Sequence, residues 1–287
     1  MRPDVDWNLT ETFDTAEGVI RWQRLGSDSS GDEPVVLVHG TPYSSYLWRD
    51  IAPALAQHRS VYVFDLLGYG QSEQREGQDL TIAAQARRLA DLLEHWGLKR
   101  PSMIANDIGA AIALHASLVN GAAYRDLVIF DAVTGSDWEM GLFHLVRRNA
   151  GVFEALPGYA HRALITSHLQ RATHSGFRPG VLERYLQPWL GADGQAAFYR
   201  QYQQLSVDDT RVFEDKLAGI DIPVKILWGR DDLIMAPKYG EWIRDQIPHA
   251  EFHWIDDAGH VLQEDAPAQL LTHLTAPFAQ GVNRSAV

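Results

Sequence analysis

Residues 103–111 read Met103-Ile104-Ala105-Asn106-Asp107-Ile108-Gly109-Ala110-Ala111. A short apolar run stops at a polar residue, and a helical pattern begins behind it. A small side chain stands two places before Asp107 and a glycine two places after it. This layout fits a sharp strand-to-helix turn that lifts one side chain above the edge of a sheet. Small neighbours are required because the backbone there is strained and crowded. The lifted residue is Asp, so a serine-based reaction at this turn is excluded.

The rest of the chain supplies the sheet and helices that such a turn needs. Val19–Leu25 alternates and predicts an antiparallel edge strand. Gly26–Pro34 is a polar loop. Pro34–Val38 and Ser60–Asp65 are short apolar runs of the kind buried in parallel sheets, and Leu127–Ala132, Val224–Trp228 and Glu251–Ile255 also predict strands. Helices are predicted over Tyr46–Ala56, Thr81–Gly97, Ala110–Val119 and Tyr239–Gln246, with one more at the C-terminal end. In the second of these, Ile82, Ala86, Leu89, Leu92, Leu93 and Trp96 share a face and Gly97 closes it. Strands alternating with helices imply an α/β fold: a mostly parallel central sheet covered by helices.

That rhythm breaks between Gly135 and Gly219. The stretch is helical in pattern, rich in aromatic residues, His and Arg, and punctuated by Pro157, Gly158, Pro179, Gly180, Pro188 and Gly191. It reads as an inserted helical cap over residues 135–219, with residues 1–134 and 220–287 forming the core.

Composition narrows the partners. The formal charge is −12 and the isoelectric point about 5.4. No basic face offsets the charge of nucleic acid or of an anionic membrane. There are no cysteines, which excludes disulfides, thiol catalysis and thiolate metal sites. Met1–Thr10 is polar and acidic, unlike a secretory leader, and no apolar run approaches the ~20 residues that span a bilayer. A cytoplasmic location is expected. Gly68-Tyr69-Gly70 lacks the third glycine of a dinucleotide loop.

Five motifs occur in a fixed order: His39-Gly40-Thr41-Pro42, Asp65-x-x-Gly68-x-Gly70-x-Ser72, the turn at Asp107, Trp228-Gly229-x-x-Asp232 and Gly259-His260. In that order the chain resembles the α/β-hydrolase fold family over nearly all of its length outside the cap, and in particular the branch with an Asp nucleophile. The resemblance implies the following roles. Asp107 is the nucleophile. A carboxylate is already an anion at neutral pH, so it attacks saturated carbon without a base and forms an alkyl ester. His260 is the base that activates water to cleave that ester. Asp232 orients His260, with Asp131, at the end of the strand after the turn, as the alternative. The backbone N–H groups of Thr41 and Ile108 form the oxyanion hole. The competing reading of Asp107 is an ordinary helix cap. His39 is read as a brace of its turn. The four cap histidines, His144, His161, His168 and His174, lack metal-ligand spacing and are read as surface or pocket polarity. No cofactor or metal is implied.

The stretch His39-Gly-Thr-Pro-Tyr-Ser-Ser-Tyr-Leu-Trp-Arg49 is similar to that of haloalkane dehalogenases. Those enzymes hold the halide with an Asn and a Trp where this chain has Thr41 and Ile108, leaving Trp138, Trp189 or a cap Tyr as substitutes. Fluoroacetate dehalogenases carry Arg after the nucleophile, and Ile108 is not Arg. Epoxide hydrolases of the same fold need no halide cradle, and some carry Asp-Ile-Gly at the turn. They use cap Tyr residues as proton donors. Tyr199, in Phe198-Tyr199-Arg200, is the candidate, with Tyr159 or Tyr185 as a second. The expected activity is epoxide hydrolysis of a small apolar or aromatic substrate by water. Haloalkane dehalogenation is the alternative, and an ester or lactone hydrolase or a non-hydrolytic member of the fold lies behind it.

Overall fold

The strand carrying the turn at Asp107 lies in the middle of the sheet. The computed structural model describes residues 7–27, 33–138 and 141–278. The described residues form eight strands: β1 (Glu11–Thr15), β2 (Gly18–Leu25), β3 (Val35–Val38), β4 (Val61–Phe64), β5 (Ser102–Asn106), β6 (Asp126–Phe130), β7 (Val224–Gly229) and β8 (Glu251–Ile255). Their order is β1-β2-β4-β3-β5-β6-β7-β8. β3 to β8 pair in parallel, while β1 with β2 and β2 with β4 pair antiparallel. The chain leaves β3 on one side to form β4 and returns on the other to form β5. Open sheets bind ligands at the carboxyl ends of their strands, where the winding reverses in this way.

Burial explains the strand sequences. All four residues of β3 are buried, because both faces of the sheet are covered. Val36 and Val38 join one core cluster with Met103 and Ala105 of β5, and Val35 and Leu37 join the other with Ile104. Each such side chain contributes about 1.5–3 kcal/mol by leaving water. The two-residue period of the strand thus divides it between two layers of helix.

The helices are α1 (Ala52–Leu55), α2 (Ile82–His95), α3 (Ile108–Leu118), α4 (Gly141–Glu154), α5 (Gly158–Gln170), α6 (Val181–Leu186), α7 (Gly191–Gln204), α8 (Asp208–Glu214), α9 (Pro237–Gln246), α10 (Leu262–Asp265) and α11 (Pro267–Thr275). Thr81 caps α2 by accepting from Ala84 N at 3.2 Å, and its buried side includes Ile82, Ala86, Leu89, Leu92 and Leu93 as expected. None of the helices among the described residues is long and apolar enough to cross a membrane.

Two expectations need correction. β2 is not an edge strand, because β1 pairs along it through a tight hairpin at Ala16-Glu17. β1 reads Glu-Thr-Phe-Asp-Thr and is largely exposed, so it carries almost no apolar signal. The helix expected over Tyr46–Ala56 is split into a 3₁₀ turn, Ser45–Asp50, and the short α1. Pro53 lacks the N–H that would bond the carbonyl of Arg49, and its ring crowds that carbonyl. Of the polar loop expected at Gly26–Pro34, residues 28–32 lie outside the described residues, as do residues 1–6 of the polar N-terminal stretch.

Between β6 and β7 the chain forms α4 to α8 and, among the described residues, no strand. α5, α6 and α7 begin at Gly158, Val181 and Gly191, directly at the Pro/Gly marks. This segment packs on the turns that follow β3 and β4. Trp189 Nε1 donates to Pro42 O at 2.8 Å, and Leu80 N donates to Gln204 Oε1 at 2.7 Å.

Candidate active site

Asp107 adopts φ 54° and ψ −129°, outside the regions that side-chain-bearing residues favour. Such a conformation costs about 1–3 kcal/mol and persists only where its surroundings enforce it. Asp107 N donates to Phe130 O at 3.3 Å, and Val133 N donates to Asp107 O at 3.0 Å. Two glycines make room for the turn. A Cβ on Gly109 would lie 2.5 Å from His39 O, and one on Gly40 would lie 2.3 Å from Asp107 Cβ.

The Asp107 side chain lies at the carboxyl end of β5, almost fully buried. Its Oδ1 accepts from Thr41 N at 2.6 Å, and its Oδ2 is 3.1 Å from His260 Nε2. His260 Nδ1 is 2.9 Å from Asp232 Oδ2. Asp232 Oδ1 accepts from Ile234 N at 2.7 Å and Met235 N at 2.9 Å, which fixes the carboxylate after β7. The structure thus brings Asp107, His260, Asp232 and the Thr41 N–H together in a buried chain. Ile108 begins α3 directly after Asp107.

Charge in this chain follows from its order. Burial alone would lower the His260 pKa, but the carboxylates of Asp232 and Asp107 on either side outweigh it and hold it well above the ordinary histidine range. His39 behaves oppositely. Its burial lowers its pKa, Leu66 N donates to its Nε2, and its Nδ1 bonds Gly40 O, each at 2.9 Å. It braces the turn as a neutral ring.

Asp131, the alternative acid, does not pair with His260. Its Oδ1 accepts from Gly229 N at 2.8 Å, and its Oδ2 is buried without a partner. Burial, with the Asp232 charge adding to it, pushes its pKa well above the usual carboxylate range.

A cavity of about 180 Å³ opens beside Asp107, walled by Val133, Trp138, Leu142, Phe143, His168 and Met235 among others. Pockets for drug-sized ligands run from roughly 300 to 1,000 Å³, so this one suits a small molecule. Larger grooves lie elsewhere, such as one of about 480 Å³ beside Pro34 and Pro101 at the amino ends of β3 and β5. That end of a parallel sheet is the wrong one for this turn.

The expected tyrosine donors are not in the cavity wall. The Tyr199 hydroxyl bonds His161 Nδ1 at 2.9 Å, while His161 Nε2 bonds Trp189 O at 2.8 Å. Tyr185 donates to Glu264 at 2.5 Å, and Tyr159 is 80% exposed. A different histidine–tyrosine pair comes closer, through its histidine alone. His168 lines the cavity with Asp107, and the hydroxyl of buried Tyr202 lies 2.7 Å from its Nε2. Burial and the Arg171 charge push the His168 pKa down to about 4, so the ring is neutral at pH 7. Both indoles considered for a halide are engaged, Trp138 Nε1 by Thr210 Oγ1 at 2.9 Å and Trp189 by Pro42 O.

Outside the cavity, His174, Asp231 and Asp257 bring ligand-type atoms within 4.8 Å of one another, all three exposed. His174 Nδ1 lies 3.0 Å from Asp231 Oδ2, an exposed contact.

Tyr202 and Gln201 went unnoticed in the sequence. The available signal is spacing: Gly194, Ala197, Phe198 and Gln201 recur at helical intervals on the buried side of α7, so Gln201 is a polar residue on an apolar face.

Comparison with known proteins identifies the family of the fold. Residues 33–267 match the family model described as alpha/beta hydrolase fold. A solved alpha/beta hydrolase fold protein from Burkholderia ambifaria is 36% identical, with a TM-score of 0.89, covering 94% of this chain and 98% of that one. A cis-3-alkyl-4-alkyloxetan-2-one decarboxylase of Shewanella oneidensis is 25% identical over 84% of this chain and 80% of its own length. Haloalkane dehalogenase 2 of Mycobacterium tuberculosis is 24% identical over 93% of each chain.

Proposed function

The chain belongs to the alpha/beta hydrolase fold family, and on that premise we propose that it hydrolyses a small apolar epoxide to a diol through an ester on Asp107. The observation that carries this reading is a carboxylate, not a serine hydroxyl, held at the strained turn with Thr41 N on Oδ1 and His260 on Oδ2. Oδ2 is the attacking atom. It bonds to a ring carbon, the carbon–oxygen bond breaks, and the electron pair passes to the ring oxygen. That oxygen takes its proton from the Tyr202–His168 pair, which replaces Tyr199 in this role. Residues 135–219 act as the cap that excludes water around these charges.

In the second step His260 removes a proton from water as the water adds to the Asp107 carboxyl carbon. The oxyanion forms at Oδ1, between the N–H groups of Thr41 and Ile108. The ester bond then breaks and the diol leaves with a proton. His260 must be neutral for this. Esterification cancels the Asp107 charge, one of the two that raise the His260 pKa, so the imidazole becomes a base when one is needed. Asp232 keeps the ring oriented and balances its charge after proton transfer.

Two observations favour an oxygen leaving group over a halide. The indoles of Trp138 and Trp189 already donate within the protein. The name of one relative specifies an oxetan-2-one, a strained oxygen ring. Likeness to a haloalkane dehalogenase supports the second reading, in which the same ester forms with loss of halide.

His260→Gln separates the two readings. Exposed to styrene oxide and to 1-bromobutane, this variant is expected to accumulate the ester, read by intact-protein mass. A gain equal to the whole epoxide, absent when Asp107→Ala is added, supports ring opening. A gain equal to the alkyl group without bromine makes the protein a dehalogenase. No adduct with either sinks the alkyl-ester reading.

A further inference from the structure

Both chain neighbours of His260 are tied to the loop that follows α5. Val261 N donates to Ala172 O at 3.1 Å. On the other side, Gly259 N donates to Asp265 Oδ2 at 2.9 Å, and the same oxygen accepts from His174 N at 2.8 Å. Asp265 Oδ1 accepts from Ser175 N at 3.1 Å. One carboxylate thus joins the residue before His260 to two successive residues of the other loop. The joint is close-packed. A Cβ on Gly259 would lie 2.9 Å from Ala172 O and 3.0 Å from His174 N, both backbone atoms.

Asp265 ends α10, a helix of four residues. Its neighbour Glu264 anchors that helix, accepting two bonds from the Arg49 guanidinium at 2.6 and 2.8 Å. Asp265 therefore acts from a fixed platform. Bonds from backbone N–H groups to a carboxylate are roughly twice as strong as bonds between neutral groups. The loop it grips continues from α5, whose His168 lines the cavity beside Asp107.

The reaction itself makes this grip matter. Before it starts, the His260 ring is bonded at both nitrogens, to Asp232 and to Asp107. Once Asp107 Oδ2 carries the substrate carbon, that side of the ring is released. Asp232 and the backbone of residues 259–261 then hold the imidazole. We propose that Asp265 is a positioning residue for His260, which ties the loop of the base to the loop after α5 and so sets where the imidazole stands when water attacks the ester. It touches no reacting atom.

This inference rests on the reading of His260 as the base that cleaves an Asp107 ester, and the experiment separates the two. Asp265→Ala removes all three bonds. Asp265→Asn removes the same charge but keeps one oxygen, which serves Gly259 N and His174 N when the amide nitrogen faces Ser175. Comparing the two separates the bonds from the charge. Formation and breakdown of the ester with styrene oxide are followed separately, by rapid quench and intact mass, in enzyme that retains His260. Asp265→Ala is expected to slow breakdown about 10²-fold, the effect of misplacing a group by roughly 1 Å. Ester formation needs no base and should stay within about threefold. Asp265→Asn should recover most of the loss. The downfield proton resonance of the His260 Nδ1–H, which faces Asp232, should move upfield in Asp265→Ala and hold its place in Asp265→Asn.

A merely structural Asp265 predicts a lower melting temperature with both steps unchanged or slowed alike. Either outcome, or Asp265→Asn as slow in breakdown as Asp265→Ala, overturns the inference and leaves the Asp107 reading intact. If Asp265→Ala does not fold, Gly259→Ala decides, since its methyl group presses the two loops apart with Asp265 in place. Ester breakdown at the parent rate in that variant overturns the inference, and selective slowing of breakdown supports it. If His260→Gln takes no label from styrene oxide, the Asp107 reading fails and the inference falls with it.

Discussion

The site has two sides built on different principles. The sheet side carries Asp107, His260 and Asp232 on turns that follow β5, β8 and β7. Two of them are braced locally, Asp107 by its own strained backbone and Asp232 by the N–H groups two and three residues ahead of it, while Thr41 N reaches Asp107 from 66 positions away. The helical side carries His168, Tyr202 and Gln201, which are held by long-range contacts alone. Gln201 bonds residues 160 and 132 positions away, and Tyr202 bonds one 34 positions away. Local bracing makes the sheet side rigid and recognisable. The helical side exists only once α5 and α7 have docked.

The largest effect that can test this division is on the sheet side. Asp232→Asn removes one of the two carboxylates beside His260 and the acceptor that sets its tautomer. Breakdown of the Asp107 ester is expected to fall by about 10⁴-fold, as when the orienting acid of a triad becomes an amide. Ester formation needs no base and should change far less. The His260 pKa should drop, since Asp232 is the largest influence raising it. Rapid-quench mass measurement of both steps and an imidazole NMR titration check this. If both steps fall alike, His260 does not act in the second step alone.

A smaller effect is expected on the helical side, in the opposite step. Tyr202→Phe should slow ester formation by roughly 100-fold, the lower range for a general acid, and leave ester breakdown within about threefold. Tyr199→Phe should leave both steps within about threefold while losing about 1 kcal/mol of stability with its bond to His161. The two variants differ by three positions on one helix, so their contrast is independent of general damage to α7. If Tyr199→Phe were the slower of the two, the proton donor would be Tyr199 after all.

That contrast also marks where the sequence stops being readable. Asp107, Gly109 and the motif ending at Asp232 are short-range patterns, each forced by one crowded turn, and their order along the chain specifies the sheet. His161 and His168 are seven residues apart on α5 and share a face. They pair with Tyr199 and Tyr202, two rungs of one ladder between α5 and α7. Helical period makes both rungs legible as buried aromatics. It does not say which rung ends up beside Asp107, because that depends on how the segment docks on the turns after β3 and β4. Likewise β1 escaped notice for want of apolar residues. Pro53, whose missing N–H breaks the helix expected over Tyr46–Ala56, is by contrast a short-range signal.

The smallest effect concerns a further buried carboxyl of the sheet side, and it tests whether every buried acid there serves the reaction. Asp131 sits beside the triad but bonds only Gly229 N. Burial raises its pKa and so favours the protonated form, and Asn has nearly the same shape and keeps the acceptor for Gly229. Asp131→Asn should therefore leave turnover within about threefold, where Asp232→Asn removes almost all of it. Stability should respond instead. Near pH 4, the usual pKa of an unfolded Asp, the unfolded chain still holds the proton about half of the time, so the two states differ little. As pH rises, the unfolded chain releases it while the folded protein retains it, so the parent loses stability up to the raised folded pKa. Asn has no proton to lose. The variant should match the parent near pH 4 and melt roughly 2–4 °C higher at pH 8, about 1 kcal/mol for a protein of this size. A variant that melts lower at pH 8, or loses turnover as Asp232→Asn does, would show Asp131 to be an ionised partner of His260, and the sheet side would then rest on two acids.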